Sequence, residues 1–149
     1  MFAFELYEIQ AAAGRFYLHE HPQGASSWTH KTVTDFCMRH PDAELATMHM
    51  CAYDMKVMSK DGQELGYAMK PTSWLTNAPA IAEQLRQTCP GGHHHEVLLD
   101  GKARQCQVYP KAVCEAIVRG LKVQLERTSA ELASLDLHTP VVPDASMGY

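Results

Sequence analysis

Cys51, Cys89, His93 and His95 offer the thiolates and imidazoles that zinc prefers in four-coordinate sites. Cys-x3-His-x-His is no standard finger spacing, so only the fold could assemble such a site. The ordinary alternative is a pair of buried apolar thiols beside a solvated histidine loop, because free cysteine is among the most buried residue types. Glu20 stands between His19 and His21 at the expected carboxyl end of a strand, where open α/β sheets place ligand-binding groups. It could transfer a proton or bond a base edge; equally, it could cap a helix or pair with a neighbouring imidazole. In the stretch Lys70-Pro71-Thr72-Ser73-Trp74-Leu75-Thr76-Asn77, Lys70 and the hydroxyls could face phosphates and Trp74 could stack on a base. Alternatively Trp74 belongs to the core and Thr76 or Asn77 caps the next helix.

The elements that must position these residues can be read from periodicity and turn chemistry. Phe2, Leu6, Ile9 and Ala13 fall on one helical face, with Gly14 as a stop. Arg15 to Glu20 reads as a buried strand closed by Pro22 and Gly24. Ser26 or Ser27 can cap a helix to about His40, which Pro41 ends. Leu45 to Tyr53 suits a central strand, which would place Cys51 near its end, and Met69 to Leu75 a third strand. Asn77 and Pro79 open a helix over Ala80 to Thr88 that Cys89-Pro90-Gly91-Gly92 terminates. Pro110 starts a long helix to about Ser129, with Val113, Ile117, Leu121 and Leu125 as its apolar stripe. The reading divides the chain into an α/β domain over 1–129 and an irregular tail over 130–149. Its sheet is expected to be parallel or mixed, of three or more strands, covered by helices.

Composition limits the function classes. The 149 residues are 46% hydrophobic and 20% charged, a globular balance. A formal charge of −4 gives no global reason to bind phosphate backbones. No apolar run reaches the roughly 18 residues of a membrane span, so no membrane partner is expected. Five irregularly spaced cysteines without a secretory signal favour a reducing, intracellular compartment, nuclear or cytoplasmic. There is no Gly-x-Ser-x-Gly elbow, Walker loop, glycine-rich dinucleotide turn or Pro-Cys pair, which excludes complete enzymes built on those motifs. A hydrolase using Glu20 with a histidine is the weakest enzymatic alternative, since no nucleophile or base pair is placed by sequence.

Several stretches, taken in order, resemble a known family. They are Phe16-Tyr17-Leu18-His19-Glu20-His21-Pro22 with Trp28 after it, Cys51-Ala52-Tyr53-Asp54, the Lys70 to Asn77 stretch, Cys89 with His93 and His95, and Tyr109-Pro110 with Cys114 to Gly120. Together they are similar to the C-terminal part of DNA cytosine carbon-5 methyltransferase-like domains of phage and of retrotransposon-like polyproteins in dinoflagellates and some fungi. The resemblance implies a partial Rossmann-like methyltransferase sheet and DNA as partner. Glu20 would be the catalytic carboxylate on a flipped cytosine, with His21, Lys70, Thr72, Trp74 and Asn77 on the substrate. The family's Pro-Cys nucleophile and S-adenosylmethionine loop have no counterpart here. His21 replaces the usual asparagine, Asp54 stands where glycine is common, and the Gln-x-Arg-x-Arg motif is missing.

Two functions follow as expectations. One is the target-base side of a methyltransferase-like domain, inactive alone and binding S-adenosylmethionine only when complete. The other is a non-enzymatic, zinc-stabilised module that binds protein or nucleic acid. An exposed sheet edge would favour a homo-oligomer or pairing with an upstream half-domain.

Overall fold

A computed structural model describes residues 2–59, 61–99 and 101–137. The fold is mixed α/β, with four α-helices and two three-stranded sheets among the described residues. The larger sheet has the order β1-β5-β2, from β1 (Leu18–Pro22), β5 (Pro71–Thr76) and β2 (Glu44–His49), and both pairings are antiparallel. The smaller sheet joins β3 (Lys56–Met58), β4 (Leu65–Ala68) and β6 (His95–Glu96). In it β3–β4 is antiparallel and β4–β6 parallel. The expected mixed pairing is thus confined to the smaller sheet. In the larger one β1 and β2 run the same way but on either side of β5, which is inserted between them and opposes both.

Helices cover both faces of the larger sheet. On one side α1 (Phe2–Ala12) and α2 (Lys31–Arg39) form a cluster of Phe4, Tyr17, Val33, Phe36 and Leu75. On the other, α3 (Pro79–Gln84) and α4 (Lys111–Leu137) pack Ile81, Ala82, Val113 and Ala116 against Ala46, Met48 and Trp74. Gly120 permits the close approach of these two helices, because a Cβ there would lie 2.6 Å from the Ile81 Cα and 2.8 Å from the Ala80 carbonyl oxygen.

Several sequence expectations are corrected. In α1 the buried face is Phe4 with Tyr7 and Ala11 packed beside it, while Phe2, Leu6 and Ile9 are exposed. The aromatic residues set the face, since Phe4 and Tyr7 meet Phe36 and His19 edge-on or tilted. Ser26–Thr29 form a separate 3-10 turn, and the cap of α2 is His30, whose Nδ1 accepts from the Thr32 amide at 3.2 Å. β2 stops at His49, and Met50–Tyr53 coil into a 3-10 turn that ends on Asp54 in the left-handed region, φ 62°. The cap position of α3 belongs to Ala78, and that helix ends at Gln84, short of the expected Thr88. α4 runs to Leu137, so residues 130–137 are helical; the rest of the expected tail, 138–149, lies outside the described residues. In α4 the buried stripe is Val113, Ala116, Gly120 and Gln124, whereas Leu121 and Leu125 are exposed. No helix among the described residues is long and apolar enough to cross a membrane.

Candidate metal centre

Two turns and a short strand bring Cys51, Cys89, His93 and His95 together. Cys51 lies in the 3-10 turn after β2, Cys89 in the loop after α3, and His95 in β6. His93 lies in the bend that follows Gly91 and Gly92, and its ring meets that of His95 at 4.6 Å between centroids. His94 is not among the converging ligands. All four ligand atoms lie within 4.8 Å of one another, an arrangement that could hold a metal ion. Cys89 Sγ is 3.5 Å from Nε2 of both His93 and His95. The two Nε2 atoms are 3.1 Å apart, and His95 Nε2 is 3.3 Å from Cys51 Sγ.

The surroundings orient these ligands. The Cys89 amide donates to His49 Nδ1 at 3.0 Å, and the His49 amide donates to the Gln87 carbonyl at 3.0 Å, which fixes the loop to the end of β2. The Gly91 amide approaches Cys89 Sγ at 3.3 Å and would stabilise a thiolate there. Gly91 and Gly92 have φ of 78° and 76°, so the tight return from Cys89 to His93 requires glycine. Tyr67 packs on the His93 ring at 4.2 Å, and β4 pairs Tyr67 with His95. Burial, and then the neighbouring Cys89, push the Cys51 thiol up to about 11. Burial and then the His93 charge push His95 down, which keeps its imidazole neutral and available to a metal. A cavity of about 230 Å³ borders the cluster, lined among others by His49, Cys51, Lys70, Cys89 and His95.

Glu20 lies elsewhere. It is in the middle of β1, not at its end, and faces Trp74 across the sheet. Pro22 closes the strand at the sheet edge, where a missing N–H is tolerated. Strand alternation turns His19 and His21 to the opposite face, where His21 meets Trp28 at 6.2 Å between rings, so neither imidazole pairs with Glu20. Glu20 Oε1 is buried without a hydrogen-bond partner, 3.9 Å from Lys70 Nζ. Lys70 Nζ is also 5.5 Å from the Tyr109 ring. Burial and then the charge of Glu20 raise the Tyr109 hydroxyl to about 12.

The Lys70 to Asn77 stretch is mostly interior. Thr72 is fully buried and Trp74 is 3% exposed, so neither reaches a phosphate or a base from this position. Asn77 does not cap a helix. Its Oδ1 accepts from the Tyr17 amide at 3.0 Å and its Nδ2 donates to the Arg15 carbonyl at 3.1 Å, bracing the entry to β1. Sequence reasoning missed His49, whose only signal is an imidazole two residues before Cys51, and Tyr109, which meets Glu20 only through the fold.

Comparisons with known protein families, curated proteins and solved structures find no match for this chain.

Proposed function

We propose that the chain is a zinc-stabilised α/β module that binds a macromolecular partner, with Cys51, Cys89, His93 and His95 as the zinc ligands. The observation that carries this reading is the ligand geometry. A tetrahedral zinc with bonds of about 2.3 Å to sulfur and about 2.05 Å to nitrogen separates S from N by about 3.6 Å and N from N by about 3.3 Å. Four of the six ligand–ligand separations, S–N at 3.3, 3.5 and 3.5 Å and N–N at 3.1 Å, lie within a few tenths of an ångström of those values, and all four ligand atoms lie within 4.8 Å of one another. Two sulfurs and two imidazoles favour zinc over harder cations, which take oxygen. Four protein ligands leave no open position for water or substrate, as in structural sites.

Charge favours a protein partner over nucleic acid. At least nine of the thirteen Lys and Arg residues have a carboxylate within 4.0 Å, so little unneutralised positive surface is left for phosphates. Elemental analysis of the dialysed protein tests the metal reading. One zinc per chain is expected, lost in the Cys89→Ser and His95→Ala variants; a metal-free protein that takes up no added zinc refutes it.

A second reading, a target-base-side fragment of a cytosine methyltransferase-like domain with a partial Rossmann-like sheet, is favoured by one observation. A buried carboxylate oxygen of Glu20 lacks a hydrogen-bond donor beside Lys70 and Tyr109, a setting that suits proton transfer. Isothermal titration with S-adenosylmethionine, and with single-stranded cytosine-containing DNA, tests it. Binding of either that falls in Glu20→Ala supports this reading, and silence in both titrations removes it.

A further inference from the structure

The two sulfurs of the cluster reach it from different segments and differ in freedom and exposure. Cys51 is 6% exposed and sits in the 3-10 turn after β2, whose neighbours Met50 and Tyr53 are buried. That turn is pinned at both ends: the Met50 amide donates to the Lys70 carbonyl at 3.1 Å, and the Tyr53 hydroxyl donates to the Gln84 carbonyl at 2.6 Å. Cys89 is half-buried, in the irregular loop after α3, and is followed by Gly91 and Gly92, which face open space. Both cysteines line the cavity that borders the cluster, so a small solute in that cavity meets both sulfurs. The two Sγ atoms lie within 4.8 Å of each other, and the cluster contains no other sulfur. Closing them to the roughly 2.05 Å of a disulfide takes a movement of at most about 2.8 Å, which the Cys89 loop can supply while Cys51 stays fixed.

We propose that the centre is redox-regulated: hydrogen peroxide oxidises Cys89, Cys51 closes a disulfide on it, and the zinc is expelled. The proposal rests on the zinc reading above. Zinc holds both sulfurs as thiolates, the nucleophilic form. The Cys89 thiolate, the more exposed of the two, attacks one oxygen of the peroxide; the O–O bond breaks, a sulfenic acid forms and hydroxide leaves. The Cys51 thiolate then attacks the Cys89 sulfur, the S–O bond breaks, a second hydroxide leaves and the S–S bond forms. Two electrons pass from the sulfur pair to the peroxide, and the ion is left with only the His93 and His95 imidazoles, too few ligands for a structural site. A dithiol reverses the step by exchange and restores both ligands.

The oxidised form differs from a chelated one. The disulfide keeps Cys89 tied to the turn after β2, whereas His93 and His95 lose their anchor and are held only by the two-residue pairing of β6 with β4 and the Met69–Glu96 backbone bond.

The test treats the zinc-loaded full chain with a few equivalents of hydrogen peroxide, reading zinc release with a chromophoric chelator and cysteine linkage by peptide mass spectrometry. Close to one zinc per chain should leave in step with formation of one Cys51–Cys89 disulfide, and dithiothreitol should reverse both. The double variant Cys37→Ser, Cys114→Ser, which lacks the thiols on α2 and α4, should respond like the parent. Retention of zinc, release with Cys89 converted to sulfinic acid, or linkage of Cys51 or Cys89 to any other cysteine would overturn the proposal. The same treatment of the chelator-stripped chain separates the two conclusions. Zinc uptake by the reduced chain with no disulfide after peroxide overturns the switch and leaves the zinc reading; a reduced chain that takes up no zinc overturns both.

Discussion

Removing zinc should loosen one side of the molecule and leave the rest folded. The loop from Cys89 to His95 is tied to the body by the His49–Cys89 hydrogen bond, the Met69–Glu96 backbone bond and the two-residue pairing of β6 with β4. Without a metal, His93 and His95 hold their nitrogens 3.1 Å apart, an arrangement that only one proton or an ion makes favourable. Free zinc at a hundred times its dissociation constant stabilises the folded state by about 2.7 kcal/mol. For a chain of this size each kcal/mol moves Tm by roughly 2–4 °C, so chelation should lower Tm by about 5–11 °C. The assay is a thermal melt by circular dichroism with and without a chelator, paired with hydrogen exchange. Exchange should accelerate at 89–96, at β4 and at His49, while β1, β5 and the rest of β2 stay protected, because they pack against α1, α2, α3 and α4 and only His49 bonds the loop. An unchanged Tm after verified metal loss, or exchange that rises equally in both sheets, would refute the reasoning.

Zinc affinity should fall as pH falls, because the ion must displace the proton of Cys51, whose thiol stands near 11 through burial and its neighbour Cys89. About tenfold is expected per pH unit for each proton displaced between pH 8 and 6, read by competition with a chromophoric chelator. Gly120→Ala should destabilise by about 1–3 kcal/mol in urea melts, because overpacking against the Ile81 and Ala80 backbone outweighs the roughly 1 kcal/mol of helix propensity gained. Asp54→Gly should be neutral or stabilising by up to about 1 kcal/mol and Asp54→Val destabilising by more, since φ is 62° there. The Glu8 carboxyl is held below its ordinary value by hydrogen bonds from Arg39 and then His40. Its contribution is therefore present above the unfolded carboxylate range and lost as pH falls through the folded value. Because the pair is exposed, Glu8→Gln should cost only a few tenths of a kcal/mol at pH 7, and nothing at pH 3.

The ligand set and much of the element order are determined by the sequence itself. Proline and glycine mark where chain direction must change, so α2 ends before Pro41, α4 opens after Pro110, and Gly91-Gly92 turns back toward His93. Thiol and imidazole chemistry offers Cys51, Cys89, His93 and His95 as candidate ligands in the sequence, and the fold brings these four together. Which side chains face inward was decided only by tertiary packing. Trp74 and Thr72 read equally well as contacts for a ligand, but β5 is the central strand of its sheet and both of its faces are covered. Leu121 and Leu125 continue the period of Val113, yet α3 is too short to cover more than one stripe of α4. Glu20 is a strand end in sequence and a mid-strand neighbour of Lys70 and Tyr109 in space. Local periodicity states that a face is apolar; only the positions of the other elements state which face has something to pack against.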